Sequence, residues 1–174
     1  MIAYWLIPAA PMRDFFTTLI ADLAQRFDAP LFEPHLSVYV EQTSPRHAAR
    51  VVREVAAEFG PIQLSVAGVR FSEEYWKTLF VQFFTSAVLN RLSDEIQSRS
   101  ATASAYHIDP HLSVIYQTMR PDEKNKLAAS LQLPFDEVFF ESIAAVTAPD
   151  ESKTPAGVAS WAKVAERRLQ RAGV

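Results

Sequence analysis

Apolar positions change their period along the chain, and each change marks an element. Residues 2–7 (IAYWLI) form an unbroken apolar run closed by Pro8, as expected of a buried strand. From Pro11 to Phe27 the apolar residues Phe15, Phe16, Leu19, Ile20, Leu23 and Phe27 recur at helical spacing, which predicts an amphipathic helix. Residues 35–41 (HLSVYVE) alternate as a strand. Ser44 and Pro45 then read as the N-cap and first position of a helix carrying Val51, Val52, Val55 and Phe59 on one face, and residues 62–71 alternate as a third strand.

The second half runs through the same series. Residues 75–84 predict a strand, and Ser86 to Arg99 a helix with Val88, Leu89, Leu92 and Ile96 on one face. Residues 111–117 predict a strand, Pro121 opens a helix, and 138–147 read as a long closing strand. A shift of 76 residues lays one half on the other: Pro34 meets Pro110, His35 meets His111, Ser37 meets Ser113, Pro45 meets Pro121 and Phe59 meets Phe135. The chain therefore carries an internal duplication. Each half alone has too few elements for a core of its own, so residues 1–174 are expected to form a single domain of two similar lobes, about 2–72 and 74–148. Residues 148–157 read as a polar loop, and the segment after them either alternates as a strand or winds as a basic helix; we expect the strand, over 158–167 around Trp161 and fraying into a charged end.

Composition narrows the chemistry. With 49% hydrophobic and 21% charged residues the chain is globular, and its twelve Phe and three Trp supply a core without staples. The absence of cysteine removes thiol nucleophiles, redox pairs, iron–sulfur clusters and Cys-ligated zinc, and fits a reducing, cytoplasmic setting. A net charge of −3 lacks the basic excess that duplex nucleic acid requires, so a small ligand is the expected partner. The opening MIAYWLIPAAPMRD has no basic segment and a short apolar stretch, which predicts neither a signal peptide nor a membrane span. The four glycines (Gly60, Gly68, Gly157, Gly173) form no GxGxxG or P-loop, so any phosphate must be held by side chains.

The pentapeptide Pro-His-Leu-Ser-Val occurs twice, at 34–38 and 110–114, each time on a predicted strand. Strand alternation sends His35 and Ser37 to one face and Leu36 and Val38 to the other, and the second motif does the same with His111 and Ser113. Packing explains the Leu and Val but does not call for His and Ser opposite them. Two lobes facing each other across a groove would bring together two imidazoles and two hydroxyls. That set suits phosphodiester hydrolysis: one imidazole takes a proton from water, the other protonates the departing alkoxide, and the hydroxyls donate to the phosphoryl oxygens. A Ser-His-Asp triad fits less well, because residues i and i+2 on a strand stand parallel. A two-His metal site lacks a third ligand at helical spacing, so no metal or other cofactor is expected. Glu33 and Asp109 precede the prolines and either orient the histidines or simply begin the strands. His47, on a helix turn, and His107, in a loop, are expected to be solvated.

The paired motifs, 76 residues apart in a duplicated α+β chain, resemble the 2H phosphoesterase superfamily, and within it the plant and yeast type of cyclic phosphodiesterase. YWLIP, FEPHLSVYV, EYWKTLFVQFF, DPHLSVIY followed by PDEKNKL, and KTPAGVASWAKVA carry the resemblance nearly end to end. It implies a bilobal, pseudo-twofold α+β fold with antiparallel sheets lining a cleft and helices outside. It further implies metal-independent opening of nucleoside 2′,3′-cyclic phosphates to 2′-phosphates, or of ADP-ribose 1″,2″-cyclic phosphate. His35 and His111 would be the acid and the base respectively, with Ser37 and Ser113 holding the phosphate. The superfamily also contains RNA 2′,3′-cyclic end-processing enzymes of the 2′-5′ RNA ligase type, which makes RNA 3′ ends an alternative substrate. A third reading is a nucleotide-binding module without turnover. The chain is expected to act as a monomer.

Three aromatic residues are candidates to contact a nucleoside. Tyr39 shares the face of His35 and Ser37 by strict alternation. Tyr116 falls opposite His111 unless a bulge redirects it, although the resemblance favours it near the site. Trp76, with its neighbour Tyr75, opens the predicted fourth strand, where packing is the competing role.

Overall fold

The computed structural model describes residues 1–102, 104–148 and 153–170. In chain order the elements are β1 (Ile2–Pro8), α1 (Met12–Phe27), β2 (Leu36–Glu41), α2 (Pro45–Glu58), β3 (Ile62–Phe71), a 3-10 turn (Tyr75–Lys77) and β4 (Leu79–Phe83). They continue with α3 (Ala87–Arg99), β5 (His111–Ile115), α4 (Pro121–Ser130), β6 (Glu137–Thr147), the short α5 (Pro155–Ala159) and β7 (Ala162–Arg168). The cap signals act as expected: the Ser44 hydroxyl accepts from the His47 amide and the Ser86 hydroxyl from the Leu89 amide, starting α2 and α3.

The class is α+β and every pairing is antiparallel. The strands form one sheet in the order β1-β2-β5-β4-β3-β6-β7, and a further β1–β6 pairing closes six of them into a ring. Within each half the first two strands pair, while the third crosses over: β3 pairs with β4 and β6 with β1. The long β6 also serves two neighbours along its other edge, β3 near its start and β7 near its end. The ring is thinnest at β2–β5, where the single partnered pair is Leu36 with Leu112.

On one face of this sheet lies the main core. Phe16, Ile20 and Leu23 of α1, Val51 and Val55 of α2, and Leu89, Leu92 and Ile96 of α3 pack against Tyr4, Leu6, Leu36, Val81, Leu112 and Ile143. The opposite face carries smaller clusters: Ala3, Trp5, Ile7, Ala144 and Val146, and then Tyr75, Tyr116 and Val158 with Phe32, Trp76 and Trp161. Among the described residues no helix is long and apolar enough to cross a membrane.

Two predicted strands are corrected. The segment expected to be extended from residue 75 begins as a 3-10 turn, because the Thr78 hydroxyl donates to the Tyr75 carbonyl and the Ser72 hydroxyl to the Lys77 carbonyl, which curls the backbone. Tyr75 and Trp76 can then both reach the same aromatic cluster, which neighbouring strand positions do not allow. The tail strand expected over 158–167 starts later, at Ala162. Thr154 caps and Pro155 opens α5, so Val158 is helical and Trp161 lies in the link to β7. Of the polar loop expected at 148–157, residues 149–152 lie outside the described residues, as do 171–174 of the charged end.

Candidate active site

The two motifs meet where the ring is thinnest. With Leu36 opposite Leu112 on an antiparallel ladder, His35 stands across from Ser113 and Ser37 across from His111. All four flank the leucines, which belong to the main core, and so take the other face. The two histidines lie on a diagonal of this junction, a spacing of roughly 7–8 Å on a regular ladder, which leaves room for a phosphate between them.

Both rings are held by the same device. His35 Nδ1 lies 2.6 Å from the Glu33 carbonyl and His111 Nδ1 lies 2.6 Å from the Asp109 carbonyl. A carbonyl only accepts, so each Nδ1 carries the proton and each Nε2 is free to take or give one. The backbone of Glu33 and Asp109 thus orients the histidines; the Glu33 carboxylate is bound elsewhere, and that of Asp109 lies 4.0 Å from His111 Nδ1 while its main partners are other side chains. Glu33 pairs with Arg13 and with Lys163 at 2.8 Å, and Asp109 pairs with Lys77 at 2.5 Å and accepts from Gln82 at 3.0 Å.

The surroundings of the rings differ. His35, 7% exposed, stacks on Trp5 at 3.6 Å between centroids, with the edges of Phe32 and Trp161 beside it. Burial holds its pKa down at about 4, and the charge of His111 acts in the same direction. His111 is also lowered by burial and by Lys77, but the Asp109 and Glu74 carboxylates work against the shift. Phe80 packs edge-on to its ring at 5.4 Å. The Ser113 hydroxyl donates to the Trp76 carbonyl at 2.7 Å, so a bound phosphate has to win that proton, while the Ser37 hydroxyl has no partner among the described residues.

A bulge decides which aromatic residues join the site. Between Tyr4 and Trp5 the β1–β2 register skips Val38, and between Leu79 and Phe80 the β4–β5 register skips Val114, the same position of each motif. Beyond the bulge the alternation is reversed. Tyr39 therefore leaves the face of His35 and Ser37 and is fully buried in the main core beside Tyr4 and Tyr106, which corrects its expected place. Tyr116 is turned toward the site by the same shift, where it stacks on Phe32 at 4.0 Å and meets Trp76 and Trp161 edge-on. Trp76 is at the site through both its carbonyl and its ring.

Trp5, Phe32, Phe80 and Trp161 were not singled out from the sequence as site residues, since an aromatic on a predicted strand or in an apolar run reads as packing. The only cue to Trp5 is its place in the strand beside the first motif. Trp5, Phe32, Glu33, Trp161 and Lys163 help to line a pocket of about 270 Å³ next to His35. The Trp161 indole N–H is buried with no acceptor among the described residues. His47 Nε2 is bonded to the Arg99 carbonyl at 2.9 Å, a link between α2 and α3, and His107 is exposed. Among the described residues no group of three His, Cys, Asp or Glu side chains is placed to hold a metal ion.

A family model described as cyclic phosphodiesterase-like protein matches residues 1–147. The chain belongs to this family. It is a 2H phosphoesterase-like protein, and solved structures share its fold. TT0787 of Thermus thermophilus superposes with a TM-score of 0.64 at 11% identity, covering 98% of each chain. Apo LigT of E. coli gives 0.58 at 10% identity over 98% of this chain and 97% of that one. LigT complexed with 3′-AMP gives 0.56 at 12% identity over 98% of each. No curated protein matches in sequence.

Proposed function

We propose that this member of the cyclic phosphodiesterase-like family hydrolyses small cyclic phosphodiesters without a metal ion, opening nucleoside 2′,3′-cyclic phosphates to 2′-phosphates or ADP-ribose 1″,2″-cyclic phosphate. The observation that carries this reading is the pair of imidazoles anchored through Nδ1 on the shared face, each with Nε2 free. Nε2 of His111 takes a proton from water as the water oxygen bonds to phosphorus. The bond from phosphorus to the 3′ oxygen breaks, and Nε2–H of His35 protonates that oxygen, leaving the 2′-phosphate. Ser37 and Ser113 donate to the non-bridging oxygens, where charge builds in the transition state. The pocket of Trp5, Phe32 and Trp161 beside His35 offers aromatic surface to the base. LigT has been crystallised with 3′-AMP, ATP, phosphate and NADP+, which supports a nucleotide ligand for this fold. The chain would work as a monomer, one domain of two similar lobes, in the cytoplasm.

The test is hydrolysis of adenosine 2′,3′-cyclic phosphate after exhaustive EDTA treatment, with the product identified by phosphorus NMR. Undiminished conversion to the 2′-phosphate is expected, and His35→Ala and His111→Ala should each slow it by about 10²-fold or more. Activity that disappears with chelator and returns with a divalent ion would refute the metal-free mechanism. Turnover confined to oligoribonucleotides ending in a 2′,3′-cyclic phosphate would move the protein to the RNA end-processing group, and binding without turnover would make it a binding module.

A further inference from the structure

The site face of the sheet does not stop at His111. Cross-strand partners share a face, and here the ladder runs from His111 to Gln82 and from Ser113 to Phe80 on β4, then from Phe80 to Arg70 and from Gln82 to Gly68 on β3. Of these residues Arg70, Phe80 and Gln82, with Lys77, Asp109 and the exposed rings of Phe71 and Phe84, line a groove of about 550 Å³, and Gln82 and Phe80 join it to His111 and Ser113 across the ladder.

The charges of this groove differ from those of the pocket beside His35. There Lys163 is neutralised by Glu33 and Glu166, and Glu33 also holds Arg13. In the groove Lys77 is taken by Asp109, but the exposed Arg70 guanidinium has no ion pair or hydrogen bond with any described residue. From Ser113 through Phe80 to Arg70 is two strand spacings, roughly 10 Å, a distance that one nucleoside unit bridges. The base and the 5′ arm leave a ribose on opposite sides of its 2′,3′ edge. With the base in the aromatic pocket beside His35, the 5′ arm runs toward the groove beside His111.

We propose that this groove seats a second phosphate of the substrate, held by Arg70, so that the protein favours a cyclic phosphodiester bearing a further phosphate at or beyond its 5′ position over the plain cyclic nucleoside phosphate. The proposal rests on the phosphodiesterase reading, and names the substrate class for that site. A guanidinium matches the phosphate fork and keeps its charge at any working pH.

The experiment compares kcat/KM for adenosine 2′,3′-cyclic phosphate with and without a 5′-phosphate, at fixed ionic strength. The wild type is expected to prefer the 5′-phosphorylated compound by roughly ten-fold or more, the range of a charge-assisted hydrogen bond. Arg70→Ala should bring that ratio to about one and Arg70→Lys should restore part of it. Added salt should shrink it in the wild type alone. A ratio near one in the wild type, or a preference that survives Arg70→Ala, overturns the proposal. Because the ratio is taken within each variant, a loss of folded protein cancels. A second arm needs no turnover: calorimetric binding of adenosine 2′-phosphate against adenosine 2′,5′-bisphosphate. Tighter binding of the bisphosphate that depends on Arg70 supports the groove even where hydrolysis is absent, and equal binding of the two refutes it.

Discussion

Occupation of the site by a phosphate is expected to move the titration of His35 by more than two pH units. In the free protein burial holds this imidazole at about 4, and only its bond to the Glu33 carbonyl works in the other direction. A group of that strength carries almost no proton at neutral pH, yet the proposed acid has to be protonated when substrate is bound. One negative charge about 5 Å from the ring, at an effective dielectric constant of about 20, favours the imidazolium by roughly 3.3 kcal/mol, or about 2.4 pH units. The bound value then comes to about 6.4, and the substrate itself supplies the protonation its departure requires. The assay is NMR titration of the imidazole Cε1–H signals, free and saturated with adenosine 2′-phosphate, with His35 identified by the loss of its signal in His35→Ala. If His35 stays below about 5 in the complex while His111 takes the proton, the two roles are exchanged. If neither signal moves, the phosphate does not sit between the motifs.

The same displacement is a statement about stability. In the unfolded chain His35 binds its proton near 6.5 and in the folded protein only near 4, so between those values the unfolded state holds more protons. Stability present above about 6.5 is lost as pH falls toward about 4, by about 3 kcal/mol if His35 acts alone. The pH dependence of urea unfolding should show this slope in the wild type and lose it in His35→Ala.

Two further substitutions test the packing around the site. Tyr39→Phe removes a buried hydroxyl that has no partner among the described residues, so unfolding free energy should hold or rise by about 1 kcal/mol and kcat/KM should change less than two-fold; a ten-fold fall would return Tyr39 to the site. Lys124 is almost wholly buried on α4, with its ammonium bonded to the Ser72 carbonyl and the Glu73 carboxylate, both at 2.8 Å. Lys124→Ala should cost about 2 kcal/mol and lower Tm by roughly 4–8 °C, and an unchanged Tm would refute the anchoring of the Ser72–Glu74 loop.

Much of this site was legible from local chemistry. The Ser44-Pro45 and Ser86 caps, the alternating runs and the repeated Pro-His-Leu-Ser-Val are signals carried by neighbouring residues, and they placed most of the strands and helices, with Ser37 on β2, His111 and Ser113 on β5, and His35 one residue before β2. Tyr39 was misplaced because a bulge is a property of a pair of strands, and residues 35–41 contain no glycine or proline to announce one. Tyr75 and Trp76 looked like strand because aromatics favour strands, whereas the hydroxyls of Ser72 and Thr78 that curl the turn act through the backbone of other residues. Trp5, Phe32 and Trp161 come together from three distant segments, so only the closed sheet reveals them as one wall.

Near-identical motifs need not do identical work. Each half repeats the pentapeptide, the carbonyl 2.6 Å from Nδ1 and the bulge one residue after the serine, so nothing within the motif distinguishes acid from base. The difference lies in what the rest of the fold lays against each ring. Trp5 from β1 covers the face of His35, and Trp161 from the tail closes over its edge, removing water and with it the stability of the charged form. His111 keeps ions for neighbours, Asp109 and Glu74 favouring a proton and Lys77 opposing it. Among the described residues the tail has no counterpart on the β3–β4 side, which leaves the groove of Arg70 open where the other half is roofed. A Trp161→Ala substitution should therefore raise the pKa of free His35 by restoring water to its edge while leaving the His111 titration in place, and a shift of both rings together would show that the asymmetry belongs to the pair and not to the roof.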